Sequence, residues 1–132
     1  MKLKYISWLP ALIIMVIIFN VTDTSYEGLV EYQVLYEIDH IIRKSAHFIE
    51  YACLAVAIFF HFTVLMTGIR AGLGLSILIT AVYAATDEFH QTFVNGRSGQ
   101  ISDVLLDSCG AAAGAVLFLL LLAISRRRMK KL

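Results

Sequence analysis

Four apolar stretches divide the chain, at residues 6–21, 46–66, 71–89 and 101–124, each bounded by charged or turn-forming residues. The second is about 21 residues long, or about 31 Å as a helix, enough to cross a hydrocarbon core of about 30 Å. All four are predicted to be transmembrane helices. Only residues 67–70 separate the second from the third, so those two are expected to be antiparallel neighbours. Pro10 near the start of the first run is tolerable in a membrane span. Lys2 and Lys4 before that run also resemble a secretory leader, but no small-x-small cleavage pattern follows at residues 19–23, and a retained helix is expected.

The connector at 22–42 has a pattern of its own. Thr24-Ser25-Tyr26-Glu27 has the form of a helix capping box. Val30, Val34, Leu35, Ile38, Ile41 and Ile42 then recur at helical spacing, with Glu27, Glu31 and Asp39 on the remainder. This predicts an amphipathic helix at the outer membrane interface, covering the bundle, with a plain solvated connector as the alternative. The fold class expected is all-α: one domain over residues 1–132, a four-transmembrane-helix bundle with both termini cytoplasmic.

Composition sharpens this picture. The chain is 59% hydrophobic and 16% charged, against about 25% charged in a soluble domain. A soluble fold of 132 residues could not hide that much apolar surface. A net charge of +1 with no basic stripe argues against a nucleic-acid partner. Cys53 and Cys109 lie in apolar runs without a CxxC spacing and read as packing residues.

Charge sets the orientation. Lys2, Lys4, Arg70, Arg126, Arg127, Arg128, Lys130 and Lys131, eight of eleven cations, share one side if the termini are cytoplasmic. Arg43, Lys44 and Arg97 fall at the opposite face, together with every acid in the chain. The expected location is the bacterial cytoplasmic membrane.

Three ionisable clusters then meet at the outer helix ends. Arg43, His47, Glu50 and Tyr51 share one helical face. Asp87, His90 and Gln91, with Glu88 beside them, end the third span above Tyr83. After a turn at Asn95-Gly96-Arg97-Ser98-Gly99, Asp103 and Asp107 lie one turn apart on the fourth span. Charges near hydrocarbon cost a few kcal/mol each at mid-bilayer, so Glu50 and Asp107 are expected to face inward and pair with Arg43, Lys44, Arg97 or the histidines. A structural ion-pair network is the bland reading. The mixture of types favours a ligand-binding pocket built from Arg43, Lys44, His47, Glu50, Asp87, Glu88, Gln91, Arg97, Asp103 and Asp107.

Two chemistries suit such a pocket. The cations could hold a phosphate or carboxylate, with His47 or His90 as acid or base oriented by Glu50 or Asp87. Alternatively His47, Glu50, Glu88, His90, Asp103 and Asp107 could supply metal ligands. The acids are expected instead to serve as partners of the cations and orienters of the histidines, leaving at least one arginine for phosphate. No metal and no cofactor are therefore expected. Gly110 and Gly114 form a small-xxx-small pair, expected to pack the fourth helix within the monomer rather than in an oligomer. His61, alone near the cytoplasmic end, is expected to be a satisfied structural residue.

In these same residues the sequence resembles the VanZ-like family of bacterial membrane proteins. The shared motifs are Arg43-Lys44-Ser45-Ala46-His47-Phe48-Ile49-Glu50-Tyr51, Asp87-Glu88-Phe89-His90-Gln91, and Gly96-Arg97-Ser98-Gly99-Gln100-Ile101-Ser102-Asp103, followed by a Gly-rich helix. Asn95 stands where many members have proline. The family's name comes from an accessory protein that raises resistance to teicoplanin, so the resemblance implies a role in glycopeptide resistance at the cell envelope. The function expected is the binding or handling of an anionic amphiphile at the outer leaflet, either a lipid-linked wall intermediate or an acylated glycopeptide. A membrane hydrolase or transferase acting on a lipid phosphate, and a structural partner in an envelope complex, are the alternatives. Membrane lipids are the expected partners in each case.

Overall fold

The computed structural model describes residues 3–22, 33–65, 68–94 and 97–129, without the side chains of 21, 22, 33–37 and 39. Five helices follow in order: α1 (Leu3–Ile6), α2 (Leu9–Thr22), α3 (Gln33–Val64), α4 (Ile69–Gln91) and α5 (Ile101–Met129). No strand occurs among the described residues. Four helical spans are long and apolar enough to cross a membrane: Leu3–Asn20, His40–Val64, Ile69–Gln91 and Ile101–Met129.

The first span is interrupted, as its proline dictates. Pro10 has no N–H to donate to the carbonyl of Ile6, and its ring crowds that carbonyl. Regular helix accordingly stops at Ile6 and resumes at Leu9, with Leu12 N–H donating to the Trp8 carbonyl at 3.2 Å.

The second span differs more from expectation. Helix α3 is 32 residues long and runs unbroken from Gln33, because neither glycine nor proline falls between Gln33 and Val64. Residues 33–42 are thus the first turns of α3, not an element separate from the span, and they leave Ile38, Ile41 and Ile42 exposed. The Thr24–Glu27 capping box and Val30 lie outside the described residues.

The bundle is polar and small inside, apolar outside. The buried face of α4 reads Gly72, Ser76, Thr80, Ala84, Asp87, Glu88 and Gln91, and that of α5 reads Asp107, Gly110, Ala111, Gly114 and Ala115. Val82, Leu105, Leu117, Leu120 and Leu121 point outward instead. Small residues let helices approach where no hydrophobic drive separates protein from solvent lipid. A methyl group added at Gly110 or Gly114 would overlap the carbonyl oxygen of Phe48 or Ala52. Both glycines are therefore filled by backbone of α3, which runs parallel to α5. Tyr51, Leu54, Ala55 and Phe59 of α3 complete the core, with Phe59 edge-on to Phe118 at 5.6 Å.

Helix α2 flanks this trio, tied by the Tyr83 hydroxyl donating to the Met15 carbonyl at 2.6 Å. At the end of the bundle away from the acids, Ser7 Oγ and His61 Nδ1 share a hydrogen bond of 2.9 Å. His61 is satisfied within the chain, as expected.

Candidate functional site

Parallel α3 and α5, with antiparallel α4 between turns, bring the start of α3, the end of α4 and the start of α5 to one end of the bundle. There they enclose a cavity of about 130 Å³, whose walls include His40, Arg43, Lys44, His47, Glu88, Gln91, Arg97, Asp103 and Asp107. Eight residues singled out from the sequence thus meet in one space: Arg43, Lys44, His47, Glu88, Gln91, Arg97, Asp103 and Asp107.

The contacts have a layered order. Nearest the mouth, Lys44 Nζ pairs with Asp103 Oδ1 at 2.7 Å, both side chains partly exposed. Deeper, His47 Nδ1 lies 3.7 Å from Oδ2 of Asp107, which is fully buried. Neither Asp107 oxygen has a hydrogen-bond partner among the described residues. Glu88 is also buried, and both of its oxygens are held: Oε1 accepts from Gln91 Nε2 at 3.1 Å, and Oε2 from the Gln100 backbone N–H at 3.0 Å. Gly99 makes the last bond attainable, since a side chain there would collide with the Glu88 carbonyl and the Thr92 methyl. Gly99 and the Gln100 amide therefore fasten the 97–100 segment onto α4.

Beneath the cavity sits a second tier. Asp87 Oδ2 accepts from the Tyr51 hydroxyl and from Gln91 Nε2, each at 3.1 Å. Tyr51 in turn stacks on His47, with ring centroids 6.1 Å apart. Gln91 thus bridges the two carboxylates Asp87 and Glu88. Glu50, one turn below His47, interacts electrostatically with His47, Asp107 and Asp87, and does not line the cavity. Its buried Oε2 has no hydrogen-bond partner among the described residues.

His90 departs from the expected arrangement. It packs against Phe19 of α2 with ring centroids 4.6 Å apart, outside the cavity wall. Three residues after Asp87, it falls on the flank of α4 that faces α2, while Glu88 takes the inward position. Sequence reasoning also passed over His40, Ser98, Gln100 and Leu106, all in the wall. His40 was detectable, being three residues before Arg43 and seven before His47 on the same face. Gln100 acts through its backbone amide, which no side-chain pattern announces.

Chemically, the cavity offers two kinds of group. Arg43, Lys44 and Arg97 present cationic donors suited to an anion. His47, Glu88 and Asp107 each place a ligand-capable atom within 4.8 Å of the others.

A four-span helical bundle with carboxylates inside and large aliphatic side chains outside defines a multi-pass membrane protein with a polar site at one end. Within that class the chain belongs to the VanZ/LLP1 family, whose model matches residues 3–122. No curated protein and no solved structure gives a significant match.

Proposed function

We propose that this protein binds the anionic headgroup of a membrane amphiphile in the cavity between α3, α4 and α5. One observation carries the reading: a polar cavity with three cations in its wall lies at one end of α3 and α5, and a wholly apolar groove lies along the flank of the same two helices. That groove runs between α3 and α5 along Phe48, Val56, Phe60, Leu117 and Phe118. A phosphate seated against Arg43 and Arg97 would leave an attached chain to lie in it.

Size selects among ligands. Pockets for drug-sized molecules run to about 300–1,000 Å³, so a 130 Å³ cavity suits a phosphate or small headgroup rather than an entire glycopeptide. The favoured ligand is a lipid-linked envelope intermediate, and glycopeptide resistance of the kind expected from the family would follow from handling that lipid. The cation distribution supports placing both termini in the cytoplasm, the cavity at the outer leaflet and the protein in the bacterial cytoplasmic membrane. The whole chain then acts as one membrane domain.

Thermal melting in detergent tests the reading. A long-chain lipid phosphate should raise the melting point by several degrees, the corresponding lipid alcohol should not, and Arg97→Ala should remove the difference. Equal responses to phosphate and alcohol would overturn it.

A further inference from the structure

We propose that His47, Glu88 and Asp107 bind a divalent transition-metal ion, zinc first among the candidates, at the floor of the cavity. The three donors come from three different helices, α3, α4 and α5, and converge within 4.8 Å. Two ligands at about 2.0–2.5 Å from one ion stand no more than about 4–5 Å apart, so one ion can reach all three. The 3.7 Å between His47 Nδ1 and Asp107 Oδ2 is long for a hydrogen bond and fits two ligands on a shared ion.

Asp107 is the decisive residue. It is 0% exposed, is aimed at His47 and Glu88, and neither of its oxygens has a hydrogen-bond partner among the described residues. A buried carboxylate so placed is costly unless a cation neutralises it.

The acids are expected to pair with the cations or to orient the histidines, and Asp103 does pair with Lys44, whereas among the described residues Asp107 meets only His47, at a distance longer than a hydrogen bond. Glu88 shows the support usual around metal ligands. Gln91 and the Gln100 amide fix its two oxygens and leave lone pairs for an ion. One nitrogen and two carboxylate ligands suit zinc or manganese better than magnesium.

The site goes beyond the headgroup reading and does not depend on it. The full-length protein, purified in detergent, stripped with chelator and equilibrated with micromolar zinc or manganese, should retain one ion per chain by elemental analysis. That ion should raise its melting point. Asp107→Asn, Glu88→Gln and His47→Gln should each abolish stoichiometric retention, while His61→Gln at the far end keeps it. Gln91→Ala should weaken binding roughly 10–100-fold, as loss of a supporting partner does. Circular dichroism and gel filtration check each variant, and the wild-type titration decides the question should a variant misfold. Wild-type protein that retains no ion, or an ion that survives all three ligand substitutions, would overturn the proposal. Wild-type protein that takes up no ion yet answers to lipid phosphate would sink the metal site alone, and metal-loaded protein deaf to lipid phosphate would sink the headgroup reading alone.

Discussion

The backbone N–H of Gln100 donates to Oε2 of Glu88 at 3.0 Å, joining the segment before α5 to the last turn of α4 across the wall of the cavity. This bond converts a surface turn into part of the site. It depends on Gly99 lying flat against the Glu88 carbonyl, so the glycine motif and the buried carboxylate form one unit.

Gly99→Ala should therefore act on both stability and binding. The added methyl meets backbone rather than a pliable side chain, and overpacking of that kind costs about 1–3 kcal/mol. The expected result is a melting point several degrees lower and a weakened response to ligand. An unchanged melting curve would show that the turn does not rest on α4.

The α3–α5 contact should be the most sensitive in the bundle to added volume. Gly114→Leu places a side chain where the Ala52 carbonyl lies, and it should abolish or greatly reduce folded protein. Ala113→Leu, one residue away on the exposed face, should be nearly neutral. Yields and gel-filtration profiles of the two variants give the comparison, and similar outcomes for both would contradict the packing described.

Lys44 and Asp103 make a short but partly exposed pair, with side chains 33% and 23% accessible. Exposed pairs contribute about 0.2–1 kcal/mol. A double-mutant cycle of Lys44→Met and Asp103→Asn should return a coupling in that range by denaturant titration. A coupling of several kcal/mol would place the pair in a much drier setting than its exposure indicates.

Tyr51→Phe removes the hydroxyl that donates to buried Asp87 while keeping the ring that stacks on His47. Weakening the satisfaction of a buried carboxylate costs about 1–3 kcal/mol, a loss that melting should register. Tyr5→Phe, on an exposed ring, should change nothing measurable.

Topology has a direct check. Single cysteines introduced at positions 70 and 126, in a chain with Cys53 and Cys109 replaced, should react with membrane-permeant reagent only. Cysteines at 40 and 98 should also react with an impermeant one added to intact cells. Finding position 98 cytoplasmic would place the cavity on the wrong side for an outer-leaflet ligand.

The four spans, their order and the end of the bundle at which the ionisable residues gather were legible in the residues alone. These properties are local or one-dimensional. Helical period and the cost of charge in hydrocarbon act on each segment separately, and alternation of direction then stacks the ends of 43–51, 87–91 and 97–107 together. The unbroken helix from Gln33 is also written in the sequence, in the lack of glycine or proline between Gln33 and Val64.

Only the tertiary structure decided which of the gathered groups share a space. Spacing says that Asp87, His90 and Gln91 occupy one side of a helix, but each residue turns about 100° from the last, and a small rotation of α4 decides which side chain points inward. Packing against Phe19 draws His90 to α2, and Glu88 takes the cavity wall in its place. The partners of Glu88 and Asp107 come from other segments, at separations no periodicity encodes: a backbone amide twelve residues on for one, an imidazole two helices away for the other.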